Sequence, residues 1–290
     1  MVMAGLVGII GGTGLGQALA DMMDGAGAYQ VMTPFGSPSG PIMVGRLGRY
    51  QVAFLNRHGP GHRLNPSSIP YAANIFALKK LGVRTILATG AVGSLRARIR
   101  PGELVIVDQF IDKTYRRVGT FFDGYGAVHC EMADPVCARV RGLAIQAAKR
   151  ARIKTHTRGT YVCMEGPQFS TRAESLMHRS WAGDLIGMTA MPEARLAREA
   201  QICYCLIGLV SDYDCWQGRT GQNGQRLLEY IKANIQTSSQ RGQALVQAML
   251  DQAGLLDQQC PCRHSLELAV WTDRDQISPS KRRAYRVLFL

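Results

Sequence analysis

The sequence predicts an α/β fold, with a central, largely parallel sheet covered by helices on both faces. Short apolar, β-branched runs recur along the chain, stretches of helical periodicity separate them, and glycine-rich turns close several of the runs. The strand candidates, in order, are residues 6–10, 51–55, 85–89, 104–110, 159–164, 185–188 and 202–210. Helical spacing is clearest at Val136, Val140, Leu143 and Ala147, which share one face. A second helix is expected over 71–81, where Tyr71, Ile75 and Leu78 align, and a third over 225–255, broken near 237–242. The turn-rich stretch 217–224, QGRTGQNG, reads as a mobile loop. One α/β domain over 1–257 is expected, followed by an extension, 258–290, whose structure the pattern leaves open.

Composition narrows the class. A chain of 290 residues, 46% apolar and 19% charged, has an ordinary globular balance, and buries roughly 75% of its unfolded surface without staples. The longest nearly uninterrupted apolar run, 202–210, is far short of the ~20 residues of a membrane span. The opening MVMAGLVGIIGGTGLG lacks the positive region of a signal peptide, so a soluble, cytoplasmic protein with no membrane partner is expected. With 34 Lys and Arg against 21 Asp and Glu the net charge is +13, which favours anionic partners. No basic stretch interleaves aromatics as a stacking groove does, and no nucleic-acid-binding signature is present, so no nucleic-acid partner is expected. A polyanion-binding protein is the remote alternative. Eight scattered cysteines do not form a disulfide framework. Cys260-Pro-Cys262 is a poor zinc signature without a second pair, so no metal site is expected.

Several strand ends carry candidate site residues. The glycine turn after the first strand, with Thr13, offers backbone N–H groups to an anion. Its G-x-G-x-G spacing fits neither a dinucleotide fingerprint nor a nucleoside-triphosphate loop. Arg57 and His58 follow the second candidate strand, Gly90 and Ala91 the third, and Met188 and Thr189 the sixth. A sheet that brings Thr13, Arg57, His58 and Thr189 together would surround one tetrahedral oxyanion. After 202–210 come Asp212 and Asp214, two apart and on one side if extended. Two neighbouring carboxyls push one pKa up and make a proton donor; a divalent-metal site and a helix cap are the other readings. Phe169 offers an aromatic face to a planar base.

The motifs together resemble the trimeric nucleoside phosphorylases, most of all their 5′-methylthioadenosine phosphorylase branch. They are GIIGGTGL at 8–15, TPFGSPS at 33–39, NRHGPGH at 56–62, ANIFALKKLG at 73–82, DQFID at 108–112, EGPQFSTRAES at 165–175, GMTAMPEA at 187–194 and SDYDCW at 211–216. The resemblance implies a mixed, largely parallel sheet in one nucleoside-phosphorylase-like domain. It also implies phosphorolysis of 5′-methylthioadenosine to adenine and 5-methylthioribose 1-phosphate, a salvage reaction. Phosphate is then a co-substrate and no cofactor is needed. Carried over by position, Thr13, Arg57, His58, Gly90, Ala91 and Thr189 hold phosphate. Met188 lies under the ribose, Phe169 and Ser170 beside the base, and His62 lines the pocket. Asp212, protonated, faces N7, and Asp214 holds the 6-amino group. Gly224 and Leu228 fall at the 5′ pocket, and His129 reaches a neighbouring subunit's site in a homotrimer. Gly90 stands where the family commonly has threonine, and Gly224 where a valine is common. Adenosine, or a 6-oxopurine nucleoside such as inosine or methylthioinosine, is the alternative substrate.

Overall fold

The computed structural model describes residues 5–12, 22–48, 50–217 and 224–290. At its centre, β1 (Val7–Gly11), β4 (Tyr50–Asn56), β5 (Thr85–Ser94) and β11 (Cys203–Asp212) lie parallel in the order β4-β1-β5-β11. Two antiparallel strands, β3 (Ile42–Leu47) and β2 (Asp24–Tyr29), extend the sheet beyond β4. On the other side β10 (Leu185–Gly187), β9 (Thr160–Met164) and β7 (Gln109–Lys113) are parallel to one another. The short β6 (Leu104–Ile106) pairs antiparallel with β11 and parallel with β8 (Thr155–His156). The sheet is mixed and mostly parallel, as expected.

β5 is the pivot. It pairs with β1 only through Ala88, with β11 as far as Gly93, and at Gly93 and Ser94 with the antiparallel β10. Between residues 89 and 92 the sheet therefore opens, and such a divergence is where α/β sheets place ligands.

Alternate residues of the central strands feed two cores. Ile10, Ile86, Ala88, Leu206 and Val210 pack on one face under α1 (Tyr71–Lys80) and α4 (Glu193–Glu199). Val7, Ile9, Leu87, Ile207 and Leu209 pack on the other under α2 (Ala138–Arg150) and α5 (Gly224–Leu250). The stretch 258–290 packs back onto both cores. Leu266, Ala269 and Leu288 join the first, Cys260 and Cys262 the second, and Lys79 and Gln201 donate to the Leu290 and Leu288 carbonyls at 2.9 Å.

Several expected boundaries move. The candidate strand 104–110 is two strands, because the chain changes partner from β11 to β9: Val107 N–H donates to the Leu206 carbonyl, Asp108 N–H to that of Gly159. The expected break near 237–242 is absent. Thr237 and Ser238 return their hydroxyls to the Ala233 and Asn234 carbonyls, so both stay inside a continuous helix. α3 (Arg172–Ser180), which no apolar periodicity announced, starts from a Thr171–Glu174 capping box.

Candidate active site

The opening of the sheet is a cavity of about 320 Å³, large enough for a small ligand. Strand ends supply one wall: Gly12 after β1, Arg57 and His58 after β4, Gly90 to Gly93 in β5, and Met188 and Thr189 after β10. Asp212 and Asp214, beside Gly93, also line the cavity, with Phe169, Ser170 and the exposed His62. Thr13 and residues 218–223 of the expected mobile loop lie outside the described residues.

Arg57 is fully buried, and its fork is already engaged. Nε and Nη2 donate to the two Glu193 oxygens at 2.7 and 2.8 Å, and Nη1 donates to the Thr89 carbonyl at 2.8 Å. Burial opposes the charge, but the Glu193 carboxylate outweighs it and raises the guanidinium pKa further. Tyr204 adds a phenol O–H to Glu193 at 2.8 Å. Among the described residues, the protein takes three of the five Arg57 N–H groups. Two of the fork's donors, Nε and Nη2, serve Glu193. Gly12 is required beside it: a Cβ there would come within 2.9 Å of Arg57 Nη1.

His58, too, is engaged by the protein. Its Nδ1 lies 2.8 Å from the Leu64 carbonyl, and its ring stacks on His62 at 4.0 Å. Burial first, then the charges of Arg57 and His62, lower its pKa to about 4 against the pull of the Leu64 bond. At neutral pH the imidazole is neutral, spends its one donor on Leu64 and leaves Nε2 as an acceptor. Between its ordinary value of 6.5 and about 4 the unfolded chain binds this proton and the folded chain does not, so His58 costs stability as pH falls. The stability difference between the native protein and His58→Gln should therefore shrink from pH 6.5 to 4 in thermal unfolding; a pH-independent difference would contradict a neutral, buried His58.

The two aspartates do meet at the wall, although not by strand alternation. β11 shifts register between Val210 and Asp212, and Asp214 adopts a left-handed φ of 54°, a conformation aspartate tolerates. Asp212 Oδ1 accepts from the Asp214 N–H at 2.5 Å, and its Oδ2 accepts from the Ser211 hydroxyl at 2.7 Å. Burial, reinforced by the Asp212 charge, raises the Asp214 carboxyl despite hydrogen bonds from Ser175, Cys215 and Ser170. The sequence put the pair's proton on Asp212; burial and the neighbouring carboxylate make Asp214 a second candidate for it. Gly93 permits the approach, since a Cβ there would lie 3.3 Å from Asp212 Oδ1 and 3.4 Å from Asp214 Cβ. Among the described residues no third His, Cys or acidic ligand joins this pair to hold a metal.

Leu228 is 52% exposed and is not part of the wall. Ile231 and Ile235 of α5, three and seven residues further along the same face, line the cavity instead. Gly224 is the first residue of that helix, and its surroundings lie outside the described residues. His129 is exposed and packs edge-on against Trp271 at 4.9 Å, away from its own chain's cavity.

The sequence missed the residues that hold the wall in place. Arg117, almost fully buried, donates to the carbonyls of Met188, Met191 and Glu165 and pairs with the Glu165 carboxylate at 3.2 Å. It ties the segments after β9 and β10 together. Glu165 and Glu193 stand inside recognised motifs, but only the fold reveals their partners.

A family model described as the phosphorylase superfamily matches residues 6–251. The chain belongs to that superfamily. This phosphorylase is 44% identical over 275 residues to an S-methyl-5′-thioadenosine phosphorylase of Gloeobacter violaceus, covering 93% of this chain and 90% of that one. It is 45% identical to another of that name from Hyperthermus butylicus, covering 91% and 95%. A crystal structure of methylthioadenosine phosphorylase from an Antarctic soil metagenomic library matches with a TM-score of 0.91 at 41% identity, over 99% of both chains. The Schistosoma mansoni enzyme in complex with adenine matches at 0.81 and 34% identity, over 91% of this chain and 98% of that one.

Proposed function

We propose that this phosphorylase cleaves 5′-methylthioadenosine with inorganic phosphate, giving adenine and 5-methylthioribose 1-phosphate. The observation that carries the reading is the division of one cavity into two ends. Arg57 (bonded to the Thr89 carbonyl), Gly90, Ala91 and Thr189 (facing Gly90) offer guanidinium, backbone and hydroxyl donors at one end, and the Asp212–Asp214 pair stands beside Gly93, further along β5, at the other. Met164, Met188, Ile231 and Ile235 give the cavity apolar wall between them, suited to a methylthio-sugar. The relatives' names support the same substrate.

In the reaction a phosphate oxygen forms a bond to C1′ as the bond from C1′ to N9 breaks, and its electrons pass into the purine. The sugar becomes oxocarbenium-like on the way. Phosphate stabilises that positive charge, and the aspartate pair supplies one proton to N7. Asp212, which accepts hydrogen bonds from the Ser211 hydroxyl and the Asp214 N–H, also suits the donor hydrogens of a 6-amino group. A 6-oxo group presents lone pairs there instead, leaving a buried acceptor unpaired at about 1–3 kcal/mol. Adenine nucleosides should outpace inosine by at least tenfold in kcat/KM; equal turnover would remove this role from the pair.

The phosphate end lacks a hydroxyl at Gly90, and a Cβ there meets only Thr189 Oγ1, at 3.6 Å. The space admits a Cβ, and a Gly90→Thr hydroxyl adds a donor worth ~1 kcal/mol, so the phosphate KM should fall about fivefold with kcat little changed. An unchanged KM would place the phosphate elsewhere.

The working assembly in this reading is a cytoplasmic homotrimer in which His129 reaches the neighbouring site. Support comes from the exposed His129 beside Trp271, itself 72% exposed, with Leu268 at 92% and Tyr115 at 78%. Sedimentation of a fully active monomer would contradict it. Among the described residues no helix is long and apolar enough to cross a membrane.

A further inference from the structure

Four cysteines from three parts of the chain meet in the core beneath α2 and α5. Cys137 directly precedes α2, Cys203 opens β11, and Cys260 and Cys262 flank Pro261 where the last stretch of chain turns back onto the body. All four are buried, and their Sγ atoms lie within 4.8 Å of one another. The spacing that made Cys260-Pro-Cys262 a poor metal signature is completed by two cysteines that are distant in sequence.

The geometry and the surroundings both favour a bound cation. Zn–S bonds of ~2.3 Å place the sulfurs of a tetrahedral site about 3.8 Å apart. Cys137 and Cys260 are 3.5 Å apart and all four sulfurs lie within 4.8 Å of one another, so shifts of about 1 Å or less, that pair opening and wider pairs closing, bring them onto one ion. Two guanidinium groups face the cluster: Arg139 Nη2 lies 3.6 Å from Cys203 Sγ, and Arg198 Nη1 lies 3.5 Å from Cys262 Sγ. Four thiolates around one divalent ion carry two net negative charges, and two partly buried N–H···S contacts from arginines offset them. An all-sulfur, four-coordinate donor set selects zinc over hard cations and leaves no open position for chemistry. Gln259, Cys260, Pro261 and His264 line a surface depression beside the cluster, which gives an ion a way in.

We propose that Cys137, Cys203, Cys260 and Cys262 bind one structural zinc ion that fastens the C-terminal stretch to the α/β body. The consequence reaches beyond the cluster. The fastened stretch carries Ala269, whose carbonyl accepts from the His129 N–H at 2.8 Å, and Trp271, which packs on the His129 ring. Zinc therefore holds the surface on which His129 is displayed.

Elemental analysis of the full-length protein, purified without chelator, is the direct test. It should find one zinc per chain, and titration with an organomercurial should release that zinc as the cluster thiols react. Cys262→Ser should lose the metal, whereas Cys130→Ser, outside the cluster, should keep it. Should Cys262→Ser fail to fold, cobalt substitution of the native chain decides instead, because tetrahedral Co²⁺ with four thiolates has a strong charge-transfer absorption. Zinc-loaded protein should also unfold at a higher temperature than protein stripped with a chelator. Background zinc with four free thiols, or a non-reducing mass showing the four joined as two disulfides, would overturn the proposal, as would a cobalt spectrum without thiolate absorption.

Discussion

Arg57→Ala should lose both stability and phosphate saturation, for two separable reasons. Removing the guanidinium leaves Glu193 buried, 1% exposed, with the Tyr204 phenol as its remaining side-chain donor. Breaking a buried pair in this way costs about 3–5 kcal/mol, a large part of the 5–15 kcal/mol that holds a typical domain together. The phosphate KM, measured where the variant is still folded by circular dichroism, should rise more than tenfold, as expected for a lost charge-assisted contact. Glu193→Gln separates the two effects. It weakens the same buried contact and lowers the unfolding temperature, but leaves the arginine charge for phosphate, so KM should change little. A normal phosphate KM in Arg57→Ala would remove Arg57 from the phosphate site, and an unchanged unfolding temperature would contradict the buried pair.

Neutralising the aspartates should strike kcat rather than KM. Asp212→Asn and Asp214→Asn each preserve shape and hydrogen-bonding capacity but remove a carboxyl from the pair that holds the proton. Loss of a positioned general acid lowers kcat about 10²–10⁴-fold, and base binding should persist. The pH profiles then assign the donor. Burial and the Asp212 charge raise the Asp214 carboxyl, so native kcat should decline on the alkaline side as the pair loses its proton. If Asp214→Asn abolishes that limb and Asp212→Asn keeps it, the proton reaches N7 from Asp214. The reverse pattern makes Asp212 the donor to N7. Full kcat in both variants would end the acid role.

Much of this site was legible because α/β sheets display ligand groups at strand ends, and strand ends can be read from apolar runs. Arg57, His58, Thr189 and Asp212 all follow or end apolar runs in the sequence. What those groups do there was not legible. Arg57 and His58 looked like two free anion donors, yet Glu193 and Leu64, distant by sequence or hidden in a turn, take their best hydrogen bonds. The proton's place between Asp212 and Asp214 depends on burial, which spacing does not encode. The edge strand β2, DGAGAY, has neither alternation nor burial and gave no signal. Ile231 and Ile235 replace Leu228 because which turn of a helix meets a cavity is set by packing. Cys137 and Cys203 reach Cys260 and Cys262 only through the tertiary fold.

The most direct test of the central claim is adenine release from 5′-methylthioadenosine with and without inorganic phosphate, followed by chromatography of both products. The proposed chemistry predicts release that saturates with phosphate, stops when phosphate is withdrawn, and yields adenine and 5-methylthioribose 1-phosphate in equal amounts. Adenine formed at the same rate without phosphate, or a preference for inosine over 5′-methylthioadenosine, would contradict it.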